Sequence, residues 1–154
     1  GFERLLAQGR IRQWGVSNFD RSDMVELMSV PGGKQCAANQ VYLSLGERGA
    51  SFSLLPWMHG HRIRAMAYSP IDQGALADKP ALQAIAKRRG VTAAQIALAW
   101  VLTQTGLAAI PKAVKPQHLR DNLAAQHIDL DQSDLLELDR AFPPPRRKQP
   151  LAII

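Results

Sequence analysis

The chain has 154 residues, 46% hydrophobic and 21% charged, a balance that excludes a disordered tail, a collagen-like fibre and a disulfide scaffold. Its net charge of +6 raises nucleic-acid binding, but the basic residues are scattered through helical patterns, and the one dense run, Arg146-Arg147-Lys148, reads as a solvated tail. The single cysteine, Cys36, cannot pair internally, which points to a reducing, cytoplasmic setting, and no apolar run approaches the roughly 20 residues of a membrane helix.

Gly1 to Gln8 reads as the tail of a helix, with Phe2, Leu5 and Leu6 on one face and Gly9 as its stop. Ile11–Val16 is a short apolar run that halts at Ser17-Asn18 and predicts a buried strand. Asp20, with Asp23 three residues on, caps a helix through Met28. A second strand spans Cys36–Val41 and contains Asn39-Gln40, and Ala50–Met58 predicts a short, weak helix. The third strand, Ile63–Ala67, runs into Tyr68-Ser69-Pro70. Lys79–Arg88 carries Leu82, Ile85 and Ala86 at helical spacing before Gly90. Thr92 and Gln95 form a capping box that opens an apolar helix through Ile96, Leu98, Trp100, Val101 and Leu102. The fourth strand, Leu107–Ile110, stops at Pro111-Lys112. Pro116 suits the first turn of a helix reaching Ala125, Asp131–Ala141 predicts a last amphipathic helix, and Pro143-Pro144-Pro145 begins an extended tail.

Strands alternating with helices predict an α/β fold with a parallel sheet and right-handed crossovers. In such folds ligands bind beyond the carboxyl ends of the strands. All four predicted strands place polar residues there. Ser17, Asn18 and Gln40 offer neutral donors and acceptors suited to an amide. Tyr68, followed by Ser69, offers a flat stacking face. Lys112 and Lys115, with His118 close behind, precede a helix start and suit a phosphate. Together these groups suggest a nicotinamide dinucleotide. Plainer roles also fit: Ser17 or Asn18 as a turn cap, Tyr68 as core, Lys112 as a surface charge. His59 and His61 lack a third ligand at metal-binding spacing, so no metal is expected.

The stretches Gly9–Phe19 (GRIRQWGVSNF), Asn39–Tyr42 (NQVY), Ala67–Pro70 (AYSP), Ala94–Trp100 (AQIALAW) and Ile110–Lys112 (IPK), with Asn122, occur in this order along nearly the whole chain. In them the sequence resembles the aldo-keto reductase family, particularly its bacterial members similar to methylglyoxal reductases. The resemblance implies a (β/α)8 TIM barrel that uses NADPH to reduce small aldehydes and ketones by hydride transfer. It implies that Ser17, Asn18 and Gln40 bind the nicotinamide carboxamide and that Tyr68 stacks on the nicotinamide ring. Ser69 and the loop through Gly74 would lie along the pyrophosphate, Lys112 would meet the 2′-phosphate, and Asp121 and Asn122 would approach the adenine. Where the family often carries a serine after this lysine and an arginine six residues after it, the chain has Ala113 and His118, with Lys115 as a substitute contact.

A complete barrel needs about 250 residues. The resemblance therefore implies the C-terminal half: residues 1–142 as four parallel strands with flanking helices, from the end of helix 4 through helix 8, and residues 143–154 as a tail. The family's catalytic aspartate, tyrosine, lysine and histidine fall in the other half, so no catalytic residue is assigned here. A half-barrel leaves an apolar face and two strand edges open, which predicts a homo-oligomer or a complementing N-terminal half. The alternative is a non-catalytic half-barrel that binds a nucleotide or a partner, or that self-assembles as a structural remnant.

Overall fold

The computed structural model describes all 154 residues. After a short helix α1 (Phe2–Ala7), strand β1 (Trp14–Ser17) leads into α2 (Arg21–Ser29), β2 (Cys36–Tyr42) into α3 (Leu54–Gly60), and β3 (Arg64–Tyr68) into α4 (Pro80–Arg89) and α5 (Ala93–Leu102). Strand β4 (Leu107–Ile110) is followed by α6 (Pro116–Ala124) and α7 (Gln132–Ala141). The four strands form one parallel sheet in the order β1-β2-β3-β4, so β1 and β4 each keep an unpaired edge. No helix is long and apolar enough to cross a membrane.

Local chemistry sets the helix boundaries. Asp20 and Asp23 form a capping box at α2, and Thr92 and Gln95 form another at α5. Pro80 and Pro116 occupy first turns, where their missing N–H costs no hydrogen bond, and Gly90 takes the left-handed conformation that ends α4. Helix α5 is the centre of the core: Gln95 to Val101 are all buried. Leu54 and Met58 of α3, Leu82 and Ile85 of α4 and Leu138 of α7 share that core.

The register divides each strand between two faces. Trp14, Val16, Val41, Ala65, Ala67, Leu107 and Ala109 join the core with the helices. Their alternates lie outside it, in rows that run across the strands. Ser17 pairs with Gln40, Gln40 with Met66, and Met66 with Ala108; Tyr42 pairs with Tyr68, and Tyr68 with Ile110. This second face bears the candidate site.

Several boundaries shift by one residue from the sequence expectation, β2 and β3 running on to Tyr42 and Tyr68, and three differences have a local physical cause. β1 begins at Trp14 rather than Ile11, because its ladder starts at Trp14–Cys36 and shifts register before Gly15–Ala38. The backbones approach closely there: a Cβ on Gly15 would lie 2.5 Å from the Ala38 oxygen, so only glycine fits. β3 starts one residue late, since the Ile63 amide donates to the Met58 carbonyl in the preceding turn. The expected helix over 50–58 divides into a 3-10 turn at Gly49–Ser51 and α3, with Pro56 inside the first turn of α3. The tail is also less free than its composition suggests, because Lys148 pairs with the Asp20 carboxylate at 2.8 Å and Leu151 packs against the core.

Candidate functional site

At the carboxyl end of β1 the Asn18 amide donates to the Gln40 carbonyl at 2.8 Å, and the Ser17 hydroxyl donates to the same oxygen at 3.1 Å. Two chain segments 23 residues apart are thereby tied at one corner of the open face. Asn18 adopts a left-handed backbone, φ 57°, a conformation that Asn tolerates better than most residues. Its side-chain carbonyl accepts a hydrogen bond from the Tyr68 hydroxyl at 3.0 Å. The side-chain NH2 of Asn18 and the side-chain amide of Gln40 make no bond within the protein.

Tyr68 ends β3 and is half-buried, stacked on Tyr42 with ring centroids 5.7 Å apart. Beyond it, Ser69 is left-handed (φ 48°), and its carbonyl accepts from the Asp72 amide at 2.9 Å. Asp72, Gln73 and Gly74 continue with φ of 51°, 51° and 97°. Non-glycine residues held at positive φ cost about 1–3 kcal/mol each and cluster where a loop must present its backbone in a set form. Four of the five, Asn18, Ser69, Asp72 and Gln73, fall just after β1 and β3, at the strand ends that carry the polar residues, and the fifth, Arg62, lies in the turn before β3.

The remaining expected residues form a second group. Tyr68 pairs with Ile110, so the sheet sets Lys112 beside the end of β3. Lys112 and Lys115 are exposed and have no salt-bridge partner, and Lys115 is the N-cap residue of α6. His118 is exposed in the first turn of α6. The Asp121 carboxylate accepts from the Gln117 amide at 2.8 Å and its backbone carbonyl from the Gln95 amide at 3.1 Å, so Asp121 is partly committed to the fold. Asn122 is half-buried beside it. No hydrogen bond joins this group to the Ser17–Asn18–Gln40–Tyr68 group. The His61 ring stacks on Trp57, its Nδ1 lies 2.8 Å from the Trp57 carbonyl, and nowhere do three His, Cys, Asp or Glu side chains converge.

Sequence reasoning missed three contributors. Asn39, fully buried, donates to the Phe19 carbonyl at 2.8 Å and accepts from the Phe19 amide at 3.4 Å, pinning the loop that carries Asn18. Strand alternation was the available signal: with Gln40 on the open face, Asn39 must face the helices. The other two are Tyr42 and Asp72, whose side chains hydrogen-bond to each other. Burial pushes the Tyr42 phenol up to about 12, and the Asp72 carboxylate adds to the shift. That pair joins positions 30 residues apart, and no local pattern announces it.

The model of the aldo/keto reductase family matches residues 1–142. Methylglyoxal reductase YeaE of Escherichia coli is 43% identical over 157 aligned residues, which cover 99% of this chain and 55% of that protein. Glyoxal reductase of Bacillus subtilis is 34% identical, over 89% of this chain and 48% of its own length. An aldo/keto reductase from Klebsiella pneumoniae, solved in complex with NADP and acetate, superposes with a TM-score of 0.96 at 43% identity, over 99% of this chain and 56% of that one. The K. pneumoniae aldo-keto reductase solved with NADPH gives the same TM-score, 0.96. The chain spans about half the length of the curated relatives it matches.

Proposed function

The chain belongs to the aldo/keto reductase family and has the fold of half a (β/α)8 barrel, and from that premise we propose that it is the cofactor-binding half of an NADPH-dependent reductase of small aldehydes and ketones. One observation carries the reading. Ser17, Asn18, Gln40 and Tyr68 come from three adjacent strands or their ends, meet at one corner of the open face, and leave the Asn18 side-chain NH2 and the whole Gln40 side-chain amide unspent. Such a corner fits a carboxamide, which needs both donors and acceptors. Tyr68, backed by Tyr42, is a fixed ring for stacking. The Ser69–Gly74 loop, left-handed at Ser69 and from Asp72 to Gly74, presents backbone along the proposed pyrophosphate path, and Lys112, with Lys115 at the start of α6, supplies charge for the 2′-phosphate. We assign Asp121 and Asn122 to the adenine side and His118 to the phosphate side.

Bound NADPH supplies the hydride that reduces the carbonyl carbon. Protonation of the carbonyl oxygen needs an acid of suitable strength. The chain's two tyrosines do not supply one: Tyr68 bonds to Asn18, and Tyr42, held by a carboxylate with its pKa near 12, is a poorer acid than free tyrosine. We therefore place the proton donor outside these residues, in a complementing half. On its own the chain binds cofactor and turns over little substrate.

The test is an equilibrium titration of the 154-residue chain with NADPH, followed through Trp14, Trp57 and Trp100. Saturable binding at micromolar to low-millimolar cofactor is expected. No binding up to millimolar NADPH would overturn the reading for this chain.

A further inference from the structure

Asp72 is out of place in a loop assigned to phosphates. It is the sole acidic residue between Ser69 and Gly74, and a free carboxylate there would repel the pyrophosphate. The structure gives it a specific partner. The Tyr42 hydroxyl, one strand away, donates to Asp72 Oδ1. Space is kept for the other oxygen: a Cβ on Gly46 would lie only 3.0 Å from Asp72 Oδ2, so any larger residue would press on the carboxylate. The loop is braced on the near side as well. The Asp72 amide donates to Ser69, and the Ala75 amide donates to the Asp72 carbonyl, each at 2.9 Å. The same Tyr42 ring stacks on Tyr68.

We propose that Tyr42 and Asp72 form a latch that draws the carboxylate toward β2 and away from the phosphate path, fixes the left-handed loop after β3, and steadies the Tyr68 ring. Tyr42 is then a positioning residue for cofactor binding, an inference that rests on the cofactor reading above. The groups facing its phenol are the Asp72 carboxylate, the Ser44 hydroxyl and the Glu47 carboxylate. Both carboxylates favour the neutral phenol, so the latch stays closed across the neutral range. The Ser44 hydroxyl accepts from the Gly46 and Glu47 amides at 3.1 Å each, which holds the turn after β2 in place behind the pair.

Two measurements test this. In the NADPH titration, Tyr42→Phe keeps the stacked ring but frees the carboxylate, and affinity falls roughly tenfold. The double variant Tyr42→Phe/Asp72→Asn removes the freed charge and recovers most of that loss, which a purely structural role for the hydroxyl would not do. An unchanged affinity in Tyr42→Phe, or a double variant no tighter than the single one, overturns the proposal. The second measurement needs no cofactor. The chain has two tyrosines, so Tyr68→Phe leaves Tyr42 alone for ultraviolet titration of the phenol. Its midpoint should stand near 12 and fall when Asp72→Asn is added, while staying above the free-tyrosine value of about 10 because the phenol remains buried. A midpoint near 10 with Asp72 present overturns the latch. If the unmodified chain binds no NADPH, the cofactor reading and the positioning role fall together, while the titration still decides whether the latch exists.

Discussion

Lys112 lies two residues beyond β4, exposed and with no carboxylate to compete for it. A cation so placed contributes little to the fold, since an unpaired surface lysine has nothing to lose on truncation except solvation. A phosphate would change that, because charge-assisted contacts are about twice as strong as neutral ones. Lys112→Ala should therefore weaken NADPH binding roughly three- to tenfold and leave the melting temperature unchanged. The loss should shrink at high salt, where exposed charges are screened. Equal affinity for NADPH in both proteins would remove the lysine from the phosphate site. Polar residues at or just after strand ends, such as Ser17, Asn18, Tyr68 and Lys112, could be read from sequence because topology alone directs strand ends to the ligand side. Strand alternation offered a signal for Asn39 once Gln40 was set on the open face, whereas the Tyr42–Asp72 pair could not be read, since it depends on which loop folds over the strand.

Between elements, the clearest junction joins the end of α4 to the start of α7. Arg88 and Arg89, in the last turn of α4, reach Asp134, Asp131 and Glu137 of the α7 region at 2.7 to 2.9 Å, and Arg89 also bonds the second oxygen of Asp134. The charges suit both helix ends, with cations at a C-terminus and anions at an N-terminus. Asp134 is buried, and burial alone would raise its carboxyl pKa; the hydrogen bonds and charge of Arg88 and Arg89 outweigh that and hold it below the ordinary value. A carboxyl with a lowered folded pKa contributes stability above its unfolded value of about 3.9 and loses it as pH falls through the folded value. Asp134→Asn should therefore melt several degrees below the unmodified chain at neutral pH. The gap should close as the pH falls from the unfolded value through the lowered folded value, below which both proteins carry a neutral side chain. A gap that stays constant over the acid range would mean that shape rather than charge holds the junction. The helices themselves were legible, because the Asp20 and Thr92 caps, Pro116 and Gly90 are local signals. The α4–α7 junction was not, because 46 residues separate Arg88 from Asp134 and only the packed fold brings them together.

At the scale of the whole molecule, the open sheet face decides behaviour. Gln40, Met66, Tyr68, Ala108 and Ile110 lie outside the helix-covered core, and β1 and β4 carry free edges of four residues each. The β4 side also carries an apolar flank: Val114, Leu119 and Leu123 are 78%, 52% and 67% exposed there. In a closed barrel such edges pair and the inward side chains meet a facing layer. Here neither need is met within the chain, and burying apolar area is worth roughly 25 cal/mol per Å2 to whatever can cover it. Short, twisted edges limit open-ended growth, so a closed assembly is favoured over fibres. In sedimentation equilibrium the isolated chain should show a mass above 16.9 kDa that rises with concentration. Leu119→Glu and Leu123→Glu together should lower the association, since they place two like charges on the apolar flank without touching the core. A complementing half should compete for the same surface and return the mass to that of a one-to-one complex. A monomer independent of concentration would mean that the chain shields this face by itself, and the case for a missing layer would fail with it.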